Sequence, residues 1–246
     1  MISQRFSIMR QYEIKCKAFL PENEIKNIII GVHGFAGDKE SSMLKKLANS
    51  VCQRNTALIC FDFPAHGKSP ANEDMLTVEN CKADLCAVME YAKTNYPDAI
   101  KSVFATSYGG FITLLCADKL NAYKFVLRAP AVTMPEVLLK NVLQTTQEDF
   151  KNVNIIECGF ERKINLPYSF YKELTEQENL FTKKYDLPIQ IIHGDCDNIV
   201  PYSDILAFTS AQKDICLKVI KGADHRFKNA GELEKIIELT QEFIGI

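Results

Sequence analysis

Residues 28–32 run Ile-Ile-Ile-Gly-Val without a polar interruption. A strand with one wet face alternates apolar and polar residues, so a strand apolar at every position must be covered on both faces, as in parallel sheets flanked by helices. The same texture recurs at residues 57–61, 102–105, 125–127, 189–192 and 216–220, and residues 4–9 and 12–20 pattern as an antiparallel pair that opens the sheet. Segments of helical period lie between these runs, at residues 41–54, 78–96 and 109–120, and a last one closes the chain at 232–244. Strands alternating with helices place the chain in the α/β class, with a mostly parallel eight-stranded sheet and helices on both faces.

A chain of 246 residues is within the range of one α/β domain. The alternation stops after Ala131 for some 50 residues, longer than the connections such folds normally use, which implies an inserted cap over residues 133–187. Within it, residues 135–145 and 168–181 have helical patterns, and residues 154–164 suggest a hairpin turning near Gly159. The 29 basic and 31 acidic side chains leave a net charge of -2, so no global field draws the protein to nucleic acid or an anionic membrane. A small molecule is the expected partner, with the chain a monomer or homodimer. Nine cysteines stand singly in apolar runs without metal-binding or redox spacing, and residues 1–10 lack the apolar core of a secretory leader. They imply buried thiols, a reducing cytoplasmic location and no metal; no uninterrupted apolar stretch of about 18 residues is present to span a membrane.

Chemistry is concentrated where these strands end. In Val103-Phe104-Ala105-Thr106-Ser107-Tyr108-Gly109-Gly110 an apolar strand runs through a serine into glycines and then into a helical pattern. A serine on so sharp a turn takes a strained backbone, and the small residues Ala105 and Gly109 allow strand and helix to approach. A serine hydroxyl is a weak nucleophile until a base accepts its proton and a third group fixes the base. Of the four histidines, His225 lies in the loop after the strand at 216–220, at the sheet edge where open α/β folds bind ligands. His33, His66 and His193 sit beside glycines at strand ends and are expected to be structural or supporting groups. The loop after the strand at 189–192 offers two carboxylates, Asp195 and Asp197.

The elbow at Ser107, His33-Gly34-Phe35, Phe61-Asp62-Phe63 with His66-Gly67-Lys68-Ser69, Arg128-Ala129-Pro130-Ala131 and Gly222-Ala223-Asp224-His225 resemble the α/β-hydrolase family, and within it the small bacterial cinnamoyl or feruloyl esterases. The first glycine of the family's Gly-x-Ser-x-Gly elbow is Ala105 here, and Thr106 stands where many members have histidine. The resemblance implies a serine carboxylesterase with a Ser107, Asp197 and His225 triad, since Asp197 matches the family's Asp-x-x-Val-Pro pattern and the chain order is that of the family. It implies an oxyanion hole formed by the backbone N–H groups of Phe35 and Tyr108, with no metal or cofactor. Thioesterases, monoacylglycerol or lysophospholipid lipases and small peptidases share these residues, and a non-catalytic ligand-binding module is the alternative of another class. Dehalogenases and epoxide hydrolases of this fold carry aspartate at the elbow, which Ser107 argues against. Phe150, Phe160, Tyr168, Phe170, Tyr171 and Phe181 fall in or beside the insertion, where aromatic rings suit an aryl or medium acyl chain. Tyr168 and Tyr171 are the expected acyl contacts, and Arg128 is expected to meet an anionic substrate or pair with a cap carboxylate.

Overall fold

A computed structural model describes residues 1–159, 162–212 and 214–246. Among the described residues there are ten strands and nine α-helices. The strands are β1 (Ile2–Met9), β2 (Glu13–Leu20), β3 (Asn27–Val32), β4 (Thr56–Phe61), β5 (Ile100–Thr106), β6 (Phe125–Arg128), β7 (Ile155–Cys158), β8 (Ile164–Pro167), β9 (Ile189–Gly194) and β10 (Ile215–Ile220). The helices are α1 (Ser42–Val51), α2 (Val78–Asn95), α3 (Tyr108–Leu115), α4 (Ala117–Leu120), α5 (Met134–Glu136), α6 (Gln147–Val153), α7 (Tyr168–Thr175), α8 (Tyr202–Ala211) and α9 (Glu232–Ile244). Eight strands form one sheet in the order β1-β2-β4-β3-β5-β6-β9-β10. Only β1–β2 and β2–β4 pair antiparallel; the other neighbours are parallel.

The apolar runs divide their residues between two cores, as the two-residue period of a strand requires. Ile28, Ile30 and Val32 of β3, with Val103 and Ala105 of β5, face α2, α3 and α8, whereas Ile29 and Phe104 face α1 and α9. Helix α1 begins with the Ser41 side chain accepting from Leu44 N–H, and α2 with Thr77 accepting from Asn80 N–H, the side-chain caps that satisfy an exposed helix start. The α2 start is also held by Glu173 of α7, whose two oxygens accept from Val78 and Glu79 N–H at 2.9 and 3.0 Å.

Several local expectations are displaced. The helix over 109–120 is two helices, broken at Cys116, and the one over 135–145 is a short α-helix followed by a π-helical turn at Val137–Leu143. The hairpin lies at β7 and β8, so its second strand ends three residues later than expected, and the helix from Tyr168 stops at Thr175. Helices α6 and α8 were not anticipated. Cysteine burial is incomplete, for Cys196 is exposed and Cys86, Cys158 and Cys216 are half-buried. Phe160 falls outside the described residues. Among the described residues no helix is long and apolar enough to cross a membrane.

The β1–β2 hairpin is pinned to α2 by a buried carboxylate. Asp84 accepts from Arg10 Nη1 at 2.5 Å and from the Tyr12 hydroxyl at 2.8 Å. Burial pushes the Asp84 carboxyl up to about 6, against the pull of Arg10 and Tyr12. A folded-state pKa above the unfolded value of about 3.9 means the native state keeps the proton longer, so the contribution of Asp84 falls as pH rises through this window. Removing Arg10 raises that pKa further, and Arg10→Ala is expected to cost about 3 kcal/mol at pH 8. Urea unfolding should show a smaller loss at pH 5, where the carboxyl can take up a proton.

Candidate active site

Ser107 occupies the single residue between β5 and α3, with φ 52° and ψ −116°. That conformation is strained for a residue with a side chain, costing about 1–3 kcal/mol, and persists only where surrounding bonds enforce it. Here they do so on both sides of the residue. Ser107 N–H donates to Arg128 O at 2.9 Å, and Ser107 O accepts from Gly110, Phe111 and Ala131 N–H at 2.9, 3.2 and 3.1 Å. The turn also brings α3 against the end of β3. A Cβ at Gly109 would stand 2.4 Å from His33 O, so that position requires a hydrogen in place of a side chain, and one at Gly34 would press on Ser107 Cβ at 3.2 Å.

Three side chains from three loops meet in series. His225 Nε2 lies 3.2 Å from Ser107 Oγ, and His225 Nδ1 lies 2.7 Å from Asp197 Oδ2. A carboxylate only accepts hydrogen bonds, so Nδ1 carries the ring proton and Nε2 presents a lone pair to the serine hydroxyl. Asp197 Oδ1 accepts from Ile199 and Val200 N–H at 2.9 and 2.8 Å, which orients the carboxylate from behind. His193 Nε2 lies 3.0 Å from Val200 O and 3.5 Å from Asp197 Oδ2, with burial holding its pKa below the ordinary histidine value. Asp195 instead accepts from Gly222 N–H at 2.5 Å and ties the Asp197 loop to the His225 loop.

The expected oxyanion donors flank the serine. Tyr108 N–H is the first amide of α3, where an aligned helix dipole favours negative charge. Neither it nor Phe35 N–H has an acceptor among the described residues. The Phe35 and Tyr108 rings meet edge to face at 5.9 Å. The Phe35 loop is fixed by a buried ion pair that sequence reasoning assigned no role. Asp62 accepts from Lys39 Nζ, from Lys39 N–H at 2.8 Å and from Lys68 N–H at 2.8 Å, joining the loop after β3 to the loop after β4. His33 Nε2 accepts from Phe63 N–H at 3.1 Å and adds a second tie between those loops. Burial lowers the pKa of His33, and that of His66 to about 3, so both rings are neutral wedges rather than titrating groups at neutral pH.

A cavity of about 990 Å³ opens beside Ser107, lined also by Phe35, Thr106, Arg128, Arg162 and His225. Tyr168 and Tyr171 are not brought to it. Tyr171 is buried, and both rings pack on Phe150, with their hydroxyls near Gln147. Phe170, one position away on α7, turns instead toward the serine loop, its ring 6.1 Å from both Phe35 and Tyr108. Arg128 does line the cavity, but among the described residues no carboxylate of segment 133–187 pairs with it. Its Nη2 donates to His225 O at 3.3 Å and Arg226 O at 2.9 Å, and its guanidinium lies 4.8 Å from the Phe227 ring centroid, so it braces the loop that carries the histidine. Among the described residues no cluster of three or more His, Cys, Asp or Glu side chains is placed to hold a metal ion.

With this geometry the comparisons with known proteins have a direct reading. Residues 23–168 match the family described as serine aminopeptidase, S33. The chain belongs to this family of α/β-hydrolases. Among solved structures, the hydrolase is similar to Est1E from Butyrivibrio proteoclasticus with bound ferulic acid, at 26% identity over 94% of each chain and a TM-score of 0.80. The mouse alpha/beta hydrolase domain-containing protein 10 superposes with a TM-score of 0.76 at 18% identity, covering 98% of each chain. The esterase domain of a Rhodothermus marinus protein gives 0.74 at 17% identity, covering 99% of this chain and 98% of that one. These last two likenesses are of fold alone. Comparison with curated protein sequences yields no match.

The buried pair supplies a test of how the Phe35 loop is held. Asp62→Ala leaves the Lys39 ammonium buried and unpaired, which is expected to cost about 3 kcal/mol. Calorimetric melting should register that loss, and the variant's turnover of any substrate should fall further than its residual folded fraction explains.

Proposed function

We propose that this hydrolase cleaves carboxylic esters through an acyl-enzyme on Ser107. The observation that carries the proposal is the hydrogen-bonded series from Ser107 Oγ through His225 to Asp197. Its chemistry follows from the proton path. As Ser107 Oγ attacks the ester carbonyl carbon, its proton passes to His225 Nε2, and Asp197 stabilises the resulting imidazolium. The carbonyl oxygen becomes an alkoxide that the N–H groups of Phe35 and Tyr108 can receive. Collapse of this intermediate breaks the bond to the leaving alcohol, whose oxygen takes the proton from His225. Water then repeats the sequence on the acyl-enzyme, giving its proton to His225, and releases the acid and Ser107.

Two further observations support an ester over a peptide substrate. Est1E, at 26% identity over nearly the whole chain, binds ferulic acid, a carboxylic acid of the kind that ester cleavage releases. Among the described residues the cavity lining holds six lysine and arginine side chains against three carboxylates, a balance that repels the protonated α-amine an aminopeptidase must bind. Segment 133–187 is proposed to act as a cap, anchored by Phe170 against the Phe35 and Tyr108 rings.

Wild-type protein should react with a fluorophosphonate probe at Ser107, as read by mass spectrometry of the labelled peptide, and Ser107→Ala should lose the label with an unchanged melting temperature. Absence of labelling in the folded wild type would favour the ligand-binding module. Asp197→Asn should lower kcat on aryl esters by about 10³–10⁴-fold. The rate should fall in acid as the imidazole takes up a proton and can no longer accept one from serine, whereas a flat profile from pH 5 to 8 contradicts a histidine base.

A further inference from the structure

Among the described residues, the charges that line the Ser107 cavity are not all paired within it. Of its three carboxylates among the described residues, Asp62 is bonded to Lys39, Glu40 faces Lys17, Lys45 and Arg5 at 3.2, 3.8 and 3.1 Å, and Asp38 accepts from Glu40 N–H at 2.5 Å without a cation in ion-pair distance. Burial of the first pair is nearly complete, so neither group is available to a ligand. Three cationic groups of the lining have no carboxylate within ion-pair distance among the described residues: Arg128, Arg162 and Lys68. Each is held differently. Lys68 is exposed, on the loop that also supplies the acceptors for Arg162. Arg162 donates through Nη1 to the carbonyls of His66, Gly67 and Ser69 at 3.3, 3.3 and 2.8 Å, and through Nη2 to Ala71 O at 3.4 Å.

Arg128 is the strongest observation. It is 8% exposed, and it donates from Nη2 to two carbonyl oxygens, while Nε is buried with no hydrogen-bond partner among the described residues. Burial lowers its pKa only to about 10, with Asp197 and Asp224 favouring the charge from beyond contact, so it stays a cation at neutral pH. A buried guanidinium is costly unless its donors are met, and carbonyl oxygens satisfy donors without cancelling the charge. Guanidinium groups immobilised in this way are set up for planar, two-point contact with carboxylate or phosphate oxygens.

We propose that the Ser107 cavity selects esters or thioesters carrying a fixed negative charge, carboxylate or phosphate, on a part of the molecule that does not react. This rests on the hydrolase reading above. The non-reacting anion supplies the counter-charge that Arg128, Arg162 and Lys68 lack, so that binding energy away from the scissile bond positions the carbonyl against Ser107.

Two substrate pairs that differ only in charge test it. Phenyl hydrogen adipate is compared with its methyl ester, and an acyl-4′-phosphopantetheine thioester with the acyl-pantetheine. In at least one pair the charged member is expected to have kcat/KM about tenfold higher at low ionic strength, with the gap closing in 0.5 M NaCl. The carboxylate pair responding places the anion on the acyl side, and the phosphate pair responding places it on the leaving-group side. In Arg162→Gln/Lys68→Gln the charged-to-neutral ratio should drop about tenfold, whatever happens to the neutral rate. Titration calorimetry of the same compounds onto Ser107→Ala reads the preference without turnover. Equal or undetectable binding of both members of both pairs, or an unchanged ratio in the double variant, overturns the proposal. Turnover of neutral esters with no charge preference removes this inference alone, whereas a binding preference in Ser107→Ala with no turnover by wild type removes the hydrolase reading and leaves the anion site.

Discussion

The arrangement depends on one forced contact, the start of α3 pressed against the end of β3. With a side chain excluded at Gly109 by His33 O 2.4 Å away, the helix can begin immediately after the strand, and Ser107 is left at the apex with φ 52°. Four backbone hydrogen bonds on its N–H and carbonyl groups keep it there. The same closeness sets the start of α3 and the loop after β3 next to the serine.

Charge is handled with equal economy around the histidine. Asp197 divides its two oxygens, one orienting against backbone amides and one toward the imidazole. Arg128 reaches the same loop through carbonyl oxygens of His225 and Arg226. A carboxylate partner for Arg128 would compete with the attraction between its charge and any anion in the cavity; carbonyl partners leave that attraction in place. Asp62 and Lys39 show the contrasting solution, in which both charges are consumed by each other to fix a loop.

Most of the sheet was legible because a strand buried on both faces has a composition no exposed element shares, as at Ile28 to Val32. Helix α8 was not, since it buries only Ile205 and Phe208 and offers too narrow an apolar stripe. Ser107, His225 and the two candidate acids were legible as polar residues at the ends of apolar runs. The choice between Asp195 and Asp197 came from family pattern, and the structure puts Asp195 on a backbone amide and Asp197 on the histidine. Which aromatic residue of α7 faces the serine loop was not legible, because Tyr168, Phe170 and Tyr171 are all large and ring-bearing and one residue of helix phase rotates the face by about 100°. Lys39 gave no signal at all, because a lone lysine in a loop looks solvated until the fold sets a carboxylate beneath it.

Strands β6 and β9 are direct neighbours in the sheet, and a parallel crossover between them need return the chain only about 13 Å, the length of a four-residue strand. The crossover found here runs from residue 129 to residue 188. Because lengthening a loop adds little entropic penalty once its ends are fixed, such a segment can be lost, enlarged or traded between descendants of one ancestor while the proton-passing residues stay on loops elsewhere. Diversification of substrate range is thereby uncoupled from the survival of the reaction.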